Sequence, residues 1–363
     1  MPKRNNGLVI ICLLLCICVG LTGYAVQTQF VYDQRDVAVI NQLIEENNLN
    51  IPKNLPHEWN NGISICWSET YPKRITWLRL EAEQPIGMAD LSDLQQLQSL
   101  SWHTVTNTLI LPKNVKQVSC PFIQLKQLDC SNAEQLKYLQ CEGNQLTELD
   151  VSNSKKLEEI AVSNNQLTKL TIQDLPKLNR LHCNNNQLTE LNLKNLPALE
   201  LLDCCHNQLD QLQFNNVPKL ELVWCYENQL QELDLTSMTS LTNLRCENNQ
   251  IKQLSVRNLP KLESLTCNHN PLEKLQLENL PLLRSFDCGE RGRFHLDETM
   301  QVTAFDYATR TVEVSVQPPE GYYLSSCQGL PKDARIDGNT IRFTLPYMEV
   351  CLEPFYLSED LRP

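Results

Sequence analysis

The chain has 363 residues and a formal net charge of −12, because its 43 acidic residues outnumber its 31 lysines and arginines. Such an acidic balance argues against nucleic-acid binding, which needs a basic face. The chain has only 11 glycines, and none of them forms a glycine-rich phosphate loop.

Residues 1–25 have the composition of a signal peptide. Lys3 and Arg4 precede the apolar run 8–21, and Gly23-Tyr24-Ala25 offers a cleavage site before Val26. The alternative is an uncleaved anchor, because residues 8–26 are near the minimum length that spans a bilayer. Either interpretation exports the remainder, so we expect a secreted, cell-surface or periplasmic protein.

Residues 26–90 are predicted to form an N-terminal cap. Val37 to about Asn47 has an apolar face at helical spacing, and Asp36 is predicted to cap this helix. The alternating segment 75–80 predicts a strand that follows the helix. Such a segment would cover the open apolar end of a repeat array.

Residues 91–290 carry a repeat with a period of 21 residues. The pattern is Leu-x-x-Leu-x-Cys-x-x-Asn-Gln-Leu-x-x-Leu-x-Leu-x-Asn-Leu-Pro-x-Leu, as residues 178–199 show. One column of the repeat is cysteine, with Val162 in the single missing place: Cys120, Cys141, Cys183, Cys204, Cys225, Cys246, Cys267 and Cys288. This column fixes the register of nine successive turns.

The alternation around the cysteine column predicts a strand with one buried face. Leu181 and Cys183 would point inward, while Arg180 and His182 would point to solvent. An asparagine stands three residues after the column position, except at the two ends of the array, where Ile123 and Arg291 occur, and it would bond backbone groups where the chain leaves the strand. The second half of each turn, such as Leu191-Asn192-Leu193, suggests an extended or 3₁₀ outer segment rather than a long helix.

These residues resemble the leucine-rich-repeat signature Leu-x-x-Leu-x-Leu-x-x-Asn/Cys-x-Leu. The resemblance implies a β-rich solenoid with a parallel concave sheet, like the repeat arrays of bacterial internalins. In that fold each column cysteine occupies a leucine position, so we expect buried, reduced thiols. Cys130 is expected to lie in the core as well.

Residues 291–363 lose the period and predict a small all-β domain. Thr311–Val316 alternates, and residues 340–346 and 350–352 suggest two further strands. The segment resembles the small β repeats that follow internalin arrays. Cys327 and Cys351 are its candidates for a disulfide.

Large apolar side chains at solvent-facing strand positions predict a binding face on the concave sheet. Leu201, Leu222, Trp224 and Tyr226 should cluster there within a charged rim, as interface hot spots do. The full set predicted to contact a partner is Tyr138, Arg180, His182, Leu201, Asp203, Leu222, Trp224, Tyr226, Arg245 and Glu247. The alternative is that these side chains only stabilise the sheet by cross-strand packing.

His182, Asp203 and Cys205 also face one surface, which raises the question of catalysis. A nucleophile needs its base within hydrogen-bond reach and a pocket with oxyanion donors. The diagonal spacing on a sheet puts Cys205 roughly 7 Å from His182, and no pocket is implied. We therefore predict no enzyme and no catalytic residue, and we treat Cys205 as an exposed thiol of open role.

The sequence thus predicts an exported bacterial protein that binds another protein, on a host cell or on the bacterial surface, as a monomer and with no cofactor or metal. One alternative is a structural spacer on the cell surface. Another is a repeat-bearing effector enzyme, although the regions outside the array are small and lack catalytic spacing.

Overall fold

A computed structural model of the chain describes residues 32–51, 53, 62–289, 293–297, 299–306, 308–320, 322–344 and 349–358. The predicted export segment, residues 1–25, lies outside these residues. The chain divides into two compact units, Met1–Ser154 and Lys155–Pro363. Among the described residues, no helix is sufficiently long and apolar to span a membrane.

The first unit begins with helix α1 (Gln34–Glu46), whose N-cap is Asp33 rather than the predicted Asp36. The Asp33 side chain accepts a hydrogen bond from the backbone N–H of Arg35 at 3.0 Å. Asp36 lies inside the helix, fully buried, where it accepts from the Arg74 guanidinium and from the backbone N–H of Ile75. Helix-cap patterns do not specify these tertiary contacts of Asp36.

The described part of the first unit also has nine strands. They are β1 (Ile63–Trp67), β2 (Ile75–Leu80), β3 (Ile86–Asp90), β4 (Ser99–Trp102), β5 (Thr106–Ile110), β6 (Gln117–Ser119), β7 (Gln127–Asp129), β8 (Tyr138–Gln140) and β9 (Glu148–Asp150). β1 pairs antiparallel with β2, after which β2, β4, β6 and β8 run parallel in that order. β3, β5 and β7 form a second parallel sheet. Successive turns therefore stack, as the repeat predicts.

The second unit holds the remaining strands. They are β10 (Glu159–Ala161), β11 (Lys169–Thr171), β12 (Arg180–His182), β13 (Glu190–Lys194), β14 (Leu201–Asp203), β15 (Gln211–Asn215), β16 (Leu222–Trp224), β17 (Asn243–Arg245), β18 (Gln253–Arg257), β19 (Ser264–Thr266), β20 (Lys274–Glu278), β21 (Ser285–Asp287), β22 (Arg293–Leu296), β23 (Met300–Asp306), β24 (Thr311–Val316), β25 (Tyr322–Gln328), β26 (Arg335–Asp337), β27 (Thr340–Thr344) and β28 (Glu349–Ser358). β10, β12, β14, β16, β17, β19 and β21 form the parallel concave sheet of this unit, with equivalent residues paired at intervals of 21.

The core of the array consists of the inward leucines and the cysteine column. All eight column cysteines are buried, as predicted, and so are Val162 and Cys130. Burial raises the pKa of Cys183, Cys204 and Cys225, because the interior disfavours a thiolate. The column thiols are therefore small core groups in place of leucine.

The asparagine column forms the predicted structural ladder. The Asn228 amide donates to the carbonyls of Cys204 and Cys225, both at 3.1 Å, and accepts from the Leu209 N–H at 3.0 Å. The residue just before each ladder asparagine has a left-handed backbone, as at His206 and His269, both with φ of 52°. Each asparagine thus satisfies backbone groups of two neighbouring turns.

The outer segments of the second unit are strands, with one interruption. β13 pairs with β15 and β18 pairs with β20, but residues 232–236 between them form no strand. There Asp234 accepts a hydrogen bond from the Thr236 N–H at 3.0 Å. This turn stands where other repeats have an Asn-Leu-Pro turn, at residues 195–197 and 258–260, or an Asn-Val-Pro turn, at residues 216–218, whose asparagine has a positive φ.

The C-terminal β structure contains the predicted strands as β24, β27 and β28, of which β24 and β27 join a four-stranded sheet with β23 and β26. β28 pairs with β22 and antiparallel with β25. In that register Cys327 lies opposite Pro354, an offset of ~10 Å along the strand from Cys351. This offset disfavours the predicted disulfide, which needs Cα atoms within about 7 Å. The Cys351 side chain lies outside the described residues.

Candidate functional site

Leu201, Leu222, Trp224 and Tyr226, hereafter the apolar patch, lie together on the solvent side of the concave sheet in the second unit. Leu201 pairs with Leu222, and Trp224 follows two residues later on the same strand. All four side chains keep part of their surface in solvent, whereas the inward neighbours Leu202 and Val223 are fully buried. The strand alternation therefore presents these apolar groups on the face away from the core.

Tyr226 is held by three neighbours. The guanidinium carbon of Arg245 lies 4.4 Å from the ring centroid, and the His206 ring packs edge-on at 5.2 Å. A hydrogen bond with Cys205, together with burial, raises the pKa of Tyr226 to about 12. The aromatic ring is therefore preorganised in one position, which lowers the entropy that a partner must remove on binding.

Arg245 joins Tyr226 to Glu247. Its Nε and Nη2 atoms donate to the same carboxylate oxygen, Oε1 of Glu247, with Nε at 3.0 Å. Arg245 remains exposed, as predicted, but the Glu247 residue is only 5% exposed. The prediction of Glu247 as an open rim residue is therefore wrong, because Arg245 covers it.

Asp203 is also buried, at 8% exposure, rather than open on the rim. Its Oδ2 lies 3.9 Å from Nδ1 of His182, too far for a hydrogen bond. His182 itself is half-buried, and Arg180 is exposed with its Nη1 atom 3.8 Å from the Glu159 carboxylate. His182 and Arg180 thus border the face, while Asp203 lies beneath it.

Cys205 is not the exposed thiol that its column position predicts, since only 2% of it is exposed. Burial raises its pKa to about 12, and Tyr226 and Asp203 are its hydrogen-bond partners. A thiol with so high a pKa carries almost no thiolate near neutral pH. Cys205 therefore has a packing role and lacks the properties of a nucleophile.

Tyr138 is half-buried on β8 of the first unit. The other predicted site residues belong to the second unit, where they lie on the adjacent turns that contain β12, β14, β16 and β17. Asn268 lies beside Glu247 on the neighbouring turn and Asn243 begins β17, the strand that Glu247 follows, but both are absent from the prediction. Their positions in the repeat predict that both side chains face solvent. Nothing about an asparagine at these positions, however, distinguishes it from other polar surface residues.

A polar groove of about 670 Å³ lies elsewhere in this unit, beside the interrupted outer segment. It is lined by Asp210, Gln211, Gln231, Glu232, Gln250, Lys252 and Pro271. Within the described residues, no group of three or more histidine, cysteine or acidic side chains is arranged to hold a metal ion. The apolar patch, with its stacked aromatic ring, is the stronger candidate for a binding site.

No family model matches the sequence, and no curated protein matches it. Among solved structures, the chain is similar to the PEPR1–AtPEP1 complex, with a TM-score of 0.50 and 17% identity over 69% of this chain and 45% of that one. It is also similar to the functional domain of InlJ from Listeria monocytogenes, which includes a cysteine ladder, with a TM-score of 0.39 and 19% identity over 77% of this chain and 85% of that one.

A leucine-rich-repeat protein of Leptospira interrogans is similar with a TM-score of 0.38 and 20% identity, over 55% of this chain and 68% of that one. Similarity at these identities concerns the fold. The stacked parallel strands, the 21-residue register and the similarity at a TM-score of 0.50 show that this chain has the fold of a leucine-rich-repeat solenoid.

Proposed function

We propose that the chain binds another protein through the concave face of its second unit, with the apolar patch at the centre of the contact. The observation that carries this proposal is the preorganised apolar surface formed by Leu222, Trp224 and Tyr226 on the solvent side of a rigid sheet. Arg180, His182 and Arg245 supply a polar rim. An apolar centre with a polar rim is the usual anatomy of a protein interface.

Binding by this face requires no chemical turnover. The buried, protonated Cys205 supplies no nucleophile, and its neighbour Asp203 is occupied within the sheet. A preformed surface instead gains affinity because little ordering is needed when the partner docks. The proposed role is therefore recognition, as an adhesion or envelope protein, and not catalysis.

Export is the second part of the proposal, and it rests on the sequence of residues 1–25. An exported solenoid would present the face to proteins of the cell surface or of a host cell. Mass spectrometry of the mature chain tests this part. An N-terminus at Val26 supports cleavage, an intact segment in the membrane fraction supports anchoring, and an intact chain in the cytoplasm contradicts export.

The test of the binding face compares the full chain with its Trp224→Ala and Tyr226→Ala double variant. Partners are captured by chemical cross-linking in the cells that express the protein and are then identified by mass spectrometry. We expect the double variant to lose the partner by at least tenfold, because central aromatic contacts each contribute about 2 kcal/mol or more.

The matched control is Leu282→Ala, which removes an exposed apolar side chain of the same unit outside the patch. It should retain the partner. A partner that binds the double variant and the control equally would contradict the proposal and favour a structural spacer. Circular dichroism of each variant verifies that the solenoid remains folded.

A further inference from the structure

Three buried oxygen atoms without a hydrogen-bond partner lie in two neighbouring turns of the second unit. They are Oδ1 of Asn243, Oε2 of Glu247 and Oδ1 of Asn268, hereafter the acceptor cluster. Among the described residues, only Trp67 Nε1 is a further buried side-chain atom of this kind. A buried acceptor that lacks a donor costs roughly 1–3 kcal/mol, so three together in a folded chain require an explanation.

The register places the Glu247 and Asn268 acceptors side by side, whereas Asn243 lies four residues before Glu247, ~13 Å away along the extended chain. Asn243 begins β17 and Glu247 follows its end, while Asn268 occupies the position of Glu247 one turn later. The backbone N–H of Asn248 donates to the carbonyl of Asn268 at 3.1 Å, which fixes the two turns in contact. Equivalent positions on neighbouring strands are separated by ~4.8 Å. A single small group can therefore reach both the Glu247 and the Asn268 oxygen.

Arg245 already binds Glu247, but it uses only one of the two carboxylate oxygens. Both donors of Arg245 are directed at Oε1 of Glu247, so the second carboxylate oxygen has no donor. Arg245 is stacked on Tyr226, and 44% of its side chain is exposed. We expect a movement of this solvent-exposed side chain to open access to the carboxylate while the core beneath stays packed.

The chemistry of the cluster favours a ligand that is a cation with several hydrogen-bond donors. Both adjacent atoms, Glu247 Oε2 and Asn268 Oδ1, accept hydrogen bonds, and the first belongs to a carboxylate. A lysine ammonium has three donors, no acceptor and a compact charge, which fits two acceptor oxygens at this spacing. Such charge-assisted hydrogen bonds are about twice as strong as neutral ones.

The neighbouring strand supplies a surface for the rest of such a side chain. Leu222 pairs directly with Asn243, and Trp224 pairs with Arg245. The methylene stem of a lysine would pack on these apolar groups while its ammonium enters the cluster, as amphipathic side chains do. The net charge of −12 also favours approach of a basic partner.

We propose that the concave face of the second unit recognises a basic protein segment, and that one lysine of this segment binds the acceptor cluster through Glu247 Oε2 and Asn268 Oδ1. This inference rests on the proposed protein-binding function and assigns the chemistry of the partner. It makes Glu247 a specificity residue, whereas Trp224 and Leu222 supply most of the contact area.

The experiment selects ligands for the full chain from a phage-displayed library of random peptides. Peptides are kept when Trp224→Ala abolishes their binding, because these peptides occupy the concave face. We expect the retained peptides to share a lysine. Replacing that lysine by norleucine, which keeps the stem and removes the charge, should lower the affinity about tenfold or more.

The decisive comparison repeats the norleucine measurement on Glu247→Gln, which keeps the size and the Oε1 acceptor for Arg245. In this variant, the loss of affinity on replacing lysine by norleucine should shrink from tenfold to about twofold, since the carboxylate charge that the lysine contacts has been removed. Glu142→Gln is the matched control, because Glu142 occupies the same column in the first unit. The control should retain the full lysine effect.

Two failures are distinguishable. Peptides that depend on Trp224 but contain no lysine, or that show the same lysine effect in Glu247→Gln, would overturn the lysine site and leave the binding face intact. If no selected peptide depends on Trp224, both the lysine site and the proposed function are wrong. Thermal unfolding of each variant ensures that the comparison is made on folded protein.

Discussion

At the scale of single residues, the ladder asparagines determine how the turns hold together. Each amide connects carbonyl and N–H groups that the strand ends would leave buried without partners. Asn228 illustrates this, because its side chain contacts the backbone of Cys204, Cys225 and Leu209. A residue without an amide cannot replace these bonds, and water has no access to the buried groups.

We predict that Asn228→Ala lowers the free energy of unfolding by about 3 kcal/mol, since several buried backbone groups lose their partner. Urea unfolding followed by circular dichroism measures the change. Asn192→Ala is the control, because Asn192 is exposed on β13, and it should cost within about 0.5 kcal/mol. Equal losses in the two variants would show that the ladder contributes little.

Contacts of single side chains also explain why Cys205 and Glu247 are buried, although their positions were predicted to face solvent. Both follow a strand end, where large side chains nearby can cover them. Tyr226 is a hydrogen-bond partner of Cys205, and Arg245 bonds to Glu247. Their burial therefore depends on which large side chain occupies the neighbouring position, and not on their own column.

At the scale of elements, the second unit contains two kinds of outer turn. Asn195, Asn216 and Asn258 have φ between 55° and 63°, and strands precede each of them. In the turn between them, the hydrogen bond from Thr236 holds the pKa of Asp234 below its usual value and closes a tighter turn. The turn closed by Asp234 and Thr236 therefore forms in place of a strand and interrupts the outer sheet between β15 and β18.

The double substitution Asp234→Ser and Ser237→Asn should restore the common turn. Serine removes the carboxylate that bonds Thr236, and asparagine tolerates the left-handed backbone that the other turns use. We expect residues 232–236 to form a strand that joins β15 and β18, so their amides should exchange hydrogen at least tenfold more slowly.

Hydrogen exchange measured by mass spectrometry tests this change. Ser237→Asn alone retains the Asp234 bond and should leave the exchange of residues 232–236 nearly unchanged. The explanation fails if the double variant exchanges as fast as the unmodified chain.

At the scale of the whole molecule, the buried thiols link stability to alkaline pH. The pKa of Cys183, Cys204, Cys246 and Cys267 is raised by burial, so these groups stay protonated in the folded chain. Thiols of the unfolded chain ionise near the ordinary pKa of 9.0. The folded state consequently binds more protons above this pH, and its stability falls as the pH rises.

We predict that the free energy of unfolding is nearly constant below about pH 8 and falls above about pH 9, by roughly 1.4 kcal/mol per pH unit for each protonated thiol. Urea unfolding at a series of pH values measures the slope. Cys204→Val, which copies the natural valine at Val162, removes one such group and should reduce the slope by that amount. An unchanged slope would contradict this origin of the pH dependence.

The sequence determined the solenoid, the register of its turns and the inward side of each strand. A period of 21 residues with cysteine, asparagine and leucine in fixed columns repeats one set of local contacts, so each turn predicts its neighbour. The burial of the cysteine column, the asparagine ladder and the apolar patch facing solvent followed from this local regularity.

Only the tertiary structure decided which outward positions stay open. Asp203, Cys205 and Glu247 share columns with residues that are at least partly exposed, such as Arg245 and Tyr226, but side chains from other positions cover them. Asp36 likewise binds Arg74, which is distant in sequence, and does not cap its helix. Backbone direction is set by local sequence, whereas accessibility depends on the size and rotamer of neighbours brought together by folding, and these do not repeat with the period.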